Sequence, residues 1–131
     1  MKTTTTWLKD QEFQSEHEGN VIKVDGAKKH GHGPKALLLS GLAGCSGIDV
    51  VDILNKKRVV FSDLSIEVEA EQTETHPKVF KRIHVLYKIR TAAENEEKVR
   101  KAIQLSLEKY CGVSAMLKKN SPINFKLEIL V

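Results

Sequence analysis

Two cysteines are the residues of this 131-residue chain best suited to chemistry. Cys45 lies within a run of small residues, Gly41–Gly47, which leaves space around its sulfur, and Cys111 follows a helical pattern at a break before Gly112. In a reducing compartment a cysteine pair is seldom a structural disulfide. The residue types alone therefore leave three interpretations open, namely inert core thiols, metal ligands or a redox pair.

The composition is that of an ordinary soluble protein, with 40% hydrophobic and 29% charged residues, and the length suits a single domain over 1–131. The net charge of +4 is spread over short basic clusters without aromatic stacking platforms, so nucleic-acid binding is not expected.

The first thirteen residues lack the apolar core of a signal peptide. The longest largely apolar run, 36–48, is too short to span a bilayer. We therefore expect a cytoplasmic protein without a membrane partner.

The hydrophobic pattern predicts the element order β-β-α-β-β-α-β. Since the strands come in hairpins around two helices, this order indicates an α+β fold with antiparallel pairing. The expected turns are 16–20 and 75–77, and residues 26–33 are expected to form a flexible loop. The predicted strands are Trp7–Phe13, Val21–Asp25, Val59–Thr73, Val79–Arg90 and Ile123–Val131, and the predicted helices are Pro34–Lys57 and Glu94–Tyr110, with further helical turns over Val113–Lys118.

The first predicted helix is apolar on nearly every side over its first half, which is typical of a helix buried all round. A chain of 131 residues has too few other elements to surround it, so we expect a homodimer that buries Pro34–Lys57 across its interface. Gly41, Gly44 and Gly47 lie near one face, where each costs about 1 kcal/mol relative to alanine. Close approach of another backbone would offset that cost.

Two segments carry a family resemblance. The run Gly33–Leu54, GPKALLLSGLAGCSGIDVVDIL, resembles the first active-site helix of the OsmC/Ohr family, named for osmotically inducible protein C and organic hydroperoxide resistance protein. The run Glu108–Val113, EKYCGV, followed by Met116-Leu117 and a last strand, resembles the family's second cysteine segment. The element order also matches, so the resemblance covers essentially the whole chain. The run Gly-Cys-Ser-x-Ile-Asp-Val-Val favours the OsmC-like branch.

The resemblance implies an intertwined homodimer, with antiparallel strands around two central helices and two sites at the subunit interface. It also implies thiol-dependent reduction of organic hydroperoxides, with no cofactor. Cys45 would correspond to the peroxidatic cysteine, whose thiolate attacks the peroxide and becomes a sulfenic acid. Cys111 would correspond to the resolving cysteine, which condenses with that acid to a disulfide. An external dithiol would then reduce the disulfide.

The sequence departs from the family at the groups that activate the thiolate. Peroxidases of the family use an N-terminal arginine, oriented by a glutamate near the start of the first helix, but no arginine precedes Arg58 here. Lys35 and Ala36 occupy the positions where that glutamate is expected. Cys45 lies eleven residues past Pro34, about 16 Å along the helix, where the helix dipole no longer acts. A cation is needed from elsewhere in the fold or from the partner subunit, and the candidates in this chain are Arg82, Lys23 and Lys9.

This departure favours a second hypothesis, in which the fold serves as a non-catalytic binding or redox-sensing module. A metal site formed by His30 and His32 with Cys45 or His17 is not expected, because no zinc-type spacing is present. Asp49 follows Cys45 by four residues, on the same helix face. Since a carboxylate raises the pKa of a nearby thiol, Asp49 is expected to be a buried polar or capping partner across the dimer rather than an activator.

Overall fold

The computed structural model covers residues 1–131 and divides into two compact units, 1–38 and 39–131, which are described separately. The elements are two three-stranded sheets and three α-helices, so the predicted α+β class is confirmed. The strands are β1 Thr4–Lys9, β2 Glu12–His17, β3 Asn20–Asp25, β4 Ser62–Gln72, β5 Phe80–Arg90 and β6 Ile123–Leu130, and the helices are α1 Pro34–Lys56, α2 Glu96–Leu105 and α3 Gly112–Lys118.

The first unit contains three strands where the sequence pattern predicted two. A turn at Asp10, whose φ is 47°, divides the predicted strand Trp7–Phe13 between β1 and β2, and the Trp7 indole N–H donates to the Asp10 carbonyl at 2.9 Å. The predicted turn over 16–20 shrinks to Glu18-Gly19, with φ of 48° and 81°. Two successive residues with positive φ match the right-handed twist of a tight antiparallel hairpin, so the strands extend to the turn on both sides.

The loop after β3 is organised by Asp25. Its carboxylate accepts hydrogen bonds from the backbone N–H groups of Ala27, Lys29 and His30 at 2.8, 3.1 and 3.0 Å. These bonds, that from Ala27 first, hold the pKa of Asp25 below its ordinary value. The buried carboxylate is thus fully partnered, and it fixes the conformation of a loop that the sequence suggested was flexible.

In the second unit β4 and β5 form the predicted antiparallel hairpin, whereas β6 pairs with β5 in parallel. The prediction of antiparallel pairing was wrong for this strand. Residues 91–122 connect β5 to β6 and include α2 and α3, and a helical crossover of that length allows the chain to return in the same direction.

The second predicted helix, Glu94–Tyr110, is a composite. A 3₁₀ turn precedes α2, and a π-helical turn over Ser106–Tyr110 follows it, ending at Cys111. The helical turns after the break form α3, so the chain has three α-helices rather than two. The π turn delivers Cys111 in an extended conformation, with φ of −77° and ψ of 106°.

Within a single chain only one stripe of α1 is buried, and burial of its other sides would require a second copy, as the sequence analysis expects. Ile48 on another side of the helix retains 65% of its accessible surface. The buried stripe has a spacing of four residues and packs in one core with inward-facing residues of β5 and with α2. Its members are Leu42, Ser46, Val50 and Leu54.

By length and composition α1 could also cross a membrane, contrary to the expectation from the shorter run 36–48. Its stripe lies in a protein core, however, and it carries Asp49 and Asp52 among its apolar residues. Those features are typical of the core helix of a soluble protein, and we assign it that role.

The three helix glycines do not meet another backbone within the chain. A Cβ added at Gly41 or Gly44 would contact nothing within 4 Å, and one at Gly47 would meet the Ile66 side chain at 3.1 Å. Close backbone approach occurs instead at Gly31, where an added Cβ would lie 2.5 Å from the Lys23 carbonyl oxygen.

Replacing Asp25 by asparagine should destabilise the protein more near neutral pH than in acid. Because the pKa of Asp25 is lower in the folded state than the ordinary 3.8, its ionised form stabilises the fold above that value. The stabilisation is lost as pH falls through the folded-state pKa. Urea denaturation at neutral pH and at about pH 3 measures the difference between wild type and Asp25→Asn. A difference that persists unchanged in acid, or one shared by the exposed Asp52→Asn control, would contradict this role.

Candidate active site

Cys45 lies midway along α1, one residue before the buried Ser46. Its side chain is half-buried and packs against the core of the second unit. The neighbouring Gly44 is exposed and carries no side chain, so one side of the thiol lacks the cover that a larger residue would give. Cys45 is therefore the more accessible of the two thiols.

Cys111 is 3% exposed and lies between the π turn and α3. Its backbone N–H donates to the Ser106 carbonyl at 2.8 Å, which closes the π turn. Its sulfur accepts a hydrogen bond from the Ser114 N–H at 3.3 Å and so caps the first turn of α3. The break before Gly112, visible in the sequence, is the feature that turns this thiol inward.

The structure brings the two predicted cysteines together as free thiols, and a side-chain hydrogen bond joins them. Burial raises the pKa of Cys111 to about 11, against the opposing effect of the Ser114 N–H. The hydrogen bond with Cys45 and the charge of Asp49 raise this pKa further. Cys111 is consequently a thiol, not a thiolate, at neutral pH.

A chain of buried hydroxyl groups adjoins the cysteine pair. The Tyr87 hydroxyl lies 2.6 Å from the Ser46 Oγ, and the Ser46 Oγ lies 2.9 Å from the Ser106 Oγ. The Ser106 Oγ donates to the Asp49 Oδ2, also at 2.9 Å. All three hydroxyl residues have no accessible surface, and burial raises the pKa of Tyr87 to about 12.

The sequence analysis did not predict that these three hydroxyl residues lie beside the cysteine pair. The one available signal was Ser46, a polar residue at the four-residue spacing of Leu42 and Val50, on the stripe that the core buries. Asp49 was expected to meet a polar partner across the dimer. Its partner, Ser106, belongs to the same chain.

Of the cations considered for the Cys45 thiolate, Arg82 pairs with a carboxylate of its own sheet and the others belong to the first unit. Arg82 is on the outward face of β5 and pairs with Glu71 at 3.2 Å. Lys35 has an interaction of its own, and Lys9 and Lys23 belong to the first unit. The charged side chain that does act on the Cys111 thiol is the Asp49 carboxylate.

The histidines do not form the metal site that was considered from the sequence, His30 and His32 with Cys45 or His17. His30 Nδ1 lies 3.3 Å from Glu12 Oε1 and 4.0 Å from Asp25 Oδ2, so these three residues have ligand atoms close enough to hold a metal ion. His17 instead contacts the Lys2 carbonyl at 2.8 Å. The Asp25 carboxylate already accepts three backbone hydrogen bonds, so the cluster has a structural role in the loop without any ion.

Comparison with known proteins decides the family. The family model described as OsmC-like protein matches residues 26–126, which contain both cysteine segments. The chain belongs to the OsmC-like protein family. Protein YhfA of Escherichia coli K12 is 31% identical over 132 residues, covering 99% of this chain and 98% of that protein.

Two solved structures extend the comparison to the fold of this OsmC-like protein. An OsmC-like protein from Mycoplasma pneumoniae has a TM-score of 0.86 at 20% identity and covers 99% of this chain and 96% of its own. The organic hydroperoxide resistance protein OhrB of Bacillus subtilis has a TM-score of 0.65 at 18% identity, with coverages of 97% and 96%. At these identities the two likenesses show a shared fold.

The two thiols should differ sharply in their reactivity towards iodoacetamide. With Cys111 as the only thiol, in Cys45→Ser, burial and the raised pKa should slow alkylation at pH 8 more than about tenfold relative to Cys45 in Cys111→Ser. Mass spectrometry of timed samples measures both rates. Equal rates, or a Cys111 rate that stops rising below about pH 9, would contradict the described environment of Cys111.

Proposed function

We propose that this OsmC-like protein is a thiol-dependent peroxidase that reduces organic hydroperoxides through Cys45 and Cys111. The observation that carries the proposal is the contact between these two free thiols, one half-buried and one buried. Family membership supports it, as does the shared fold with a protein named for organic hydroperoxide resistance.

The difference in exposure, together with the raised pKa of Cys111, assigns the two roles. The half-buried Cys45 is the thiol that a bulky hydroperoxide can reach, so its thiolate attacks the terminal peroxide oxygen. A sulfur–oxygen bond forms, the oxygen–oxygen bond breaks, and the alkoxide leaves as an alcohol after taking a proton. Cys45 is thereby oxidised by two electrons to a sulfenic acid.

Cys111 completes the cycle. Its sulfur attacks the Cys45 sulfur, the sulfur–oxygen bond breaks, and the hydroxide leaves as water with the proton that Cys111 gives up. Because the raised pKa keeps Cys111 protonated, it does not compete with Cys45 for the peroxide. An external dithiol then reduces the disulfide by thiol–disulfide exchange, which restores both thiols.

Consumption of cumene hydroperoxide in the presence of a dithiol tests the proposal. Wild type should consume it at least about 100-fold faster than Cys45→Ser, because the serine hydroxyl is not ionised at neutral pH. The exposed Ser40→Ala variant on the same helix serves as a control and should retain the wild-type rate. Wild-type consumption no faster than that of Cys45→Ser would refute peroxidase activity.

The proposal includes a homodimer. Ile48 on α1 and Met116 on α3 are large apolar side chains that keep 65% and 66% of their surface within one chain, and Gly41 and Gly44 leave part of α1 without side chains. A second copy would cover such surface and complete the interface that the family resemblance implies.

Introducing a charge at Ile48 should therefore dissociate the dimer. Ile48→Glu would bury an unpaired carboxylate in the interface, which is strongly unfavourable. Light scattering coupled to size-exclusion chromatography should give a dimer for wild type and a monomer for Ile48→Glu. Val60→Glu, at an even more exposed apolar position before β4, should remain dimeric. A monomeric wild type would contradict the dimer without bearing on Cys45.

The second candidate is a redox-sensing or binding module without catalysis. It is favoured by the absence of an arginine before Arg58 and by the engagement of Arg82 with Glu71 on the outward face of β5. In this case Cys45 would react with hydroperoxide no faster than free cysteine does. A stopped-flow comparison of the two rates separates the two functions.

A further inference from the structure

We propose that the Cys111 thiol is a redox-sensitive cap of α3, and that formation of the disulfide with Cys45 releases this helix. The inference rests on the proposed chemistry of the cysteine pair. It adds a structural signal, located in Gly112–Lys118, that distinguishes the oxidised protein from the reduced one.

The first turn of α3 is capped by a sulfur atom. Cys111 is the N-cap residue, with an extended backbone, and its Sγ accepts a hydrogen bond from the Ser114 N–H at 3.3 Å. The usual residues at this position are serine, threonine, aspartate and asparagine, whose side-chain oxygens satisfy a free N–H of the first turn. A cysteine can do the same only while its sulfur stays next to that N–H, so the cap depends on the oxidation state of the thiol.

Little else holds α3 in place. Of its seven residues only Ser114 is buried, while Val113 and Leu117 pack partly against the core. The Ser114 Oγ also donates to the Leu107 carbonyl at 2.9 Å, which ties α3 to the π turn. A helix this short is not stable without such contacts. Loss of the cap therefore removes a substantial part of what keeps the segment helical.

Disulfide formation requires one of the two sulfurs to move. In the reduced protein a hydrogen bond joins Cys45 and Cys111, and sulfur atoms at that separation are farther apart than bonded sulfurs are. Oxidation removes one electron and one proton from each thiol and passes them to the oxidant, and the sulfur–sulfur bond forms. The element that is held less firmly supplies the movement.

That element is the segment that carries Cys111. Cys45 belongs to α1, a helix of 23 residues that is held by a buried stripe and by the Ser46–Tyr87 hydrogen bond. Beside Cys111, Gly112 is exposed, and a Cβ added to it would contact nothing within 4 Å. The backbone between the π turn and α3 is therefore free to rotate, and the Cys111 sulfur moves towards α1.

The movement leaves the Ser114 N–H without its acceptor. Ser114 has no accessible surface, so water cannot satisfy this N–H while α3 keeps its position. A buried N–H without a partner is unfavourable. Opening of the first turn of α3 to solvent relieves that cost, which makes release of the helix the consequence of oxidation.

Hydrogen–deuterium exchange, read by peptide mass spectrometry on the full chain, tests the release. The reduced protein is compared with protein oxidised by diamide, which takes up the two electrons and two protons of the thiols and requires no peroxide chemistry. Amides over 112–118 should exchange at least about tenfold faster after oxidation, because the cap has been lost. Amides of α1 and β5 should keep their rates.

Two substitutions of Cys111 separate the cap from the disulfide. Cys111→Ala has no acceptor, so the reduced variant should exchange over 112–118 as fast as oxidised wild type does. Cys111→Ser supplies a hydroxyl oxygen, so its protection should match that of reduced wild type and should not respond to diamide. Cys45→Ser keeps the cap but lacks the disulfide partner, and it should not respond either. These last two variants decide the question even if Cys111→Ala does not fold.

Several results would overturn the proposal. Unchanged exchange over 112–118 in protein whose disulfide is confirmed by mass would do so, as would faster exchange around Cys45 alone or throughout the second unit. Absence of a disulfide after diamide would also overturn it, because the cap would then not be lost. Failure of the proposed function is distinguishable, since cumene hydroperoxide would remain unconsumed while diamide still released α3.

Discussion

The hydrogen bond between Ser46 and Tyr87 is the contact on which the candidate site depends. It joins α1 to the central strand of the second sheet, at 2.6 Å and with both residues fully buried. A buried hydroxyl without a partner is strongly unfavourable, so each residue requires the other. Their pairing, extended through Ser106, fixes the rotation of α1 and with it the direction in which Cys45 faces.

The same constraint explains why a mostly apolar core tolerates a cysteine pair beside a carboxylate. Asp49 remains next to the buried hydroxyl groups because Ser106 donates to it, and burial, with a smaller contribution from the Asp49 charge, keeps the proton on Cys111. The site is thereby held in a resting state with a protonated inner thiol. The arginine and glutamate that the family resemblance implies would act on Cys45. Burial and the Asp49 charge act on Cys111, so the one arrangement is not a substitute for the other.

Most of the strands and helices could be predicted from the sequence, but one turn, the direction of β6 and the buried hydroxyl contacts could not. Pro34 marked the start of α1, and the break before Gly112 marked the position of Cys111, because both residues constrain the backbone directly. The turn at Asp10 was missed because the apolar pattern continues through it. The parallel direction of β6 depends on the path of α2 and α3, which local periodicity does not specify. Tyr87 and Ser106 join Ser46 only through tertiary packing.

The central claim is that Cys45 and Cys111 form a functional redox pair, and peptide mass spectrometry tests it most directly. The reduced protein is treated with one equivalent of cumene hydroperoxide, alkylated and digested. The account predicts a disulfide between Cys45 and Cys111 within one chain, with the loss of two hydrogens and no added oxygen. Sulfinic acid at Cys45 with Cys111 recovered as a free thiol would contradict it.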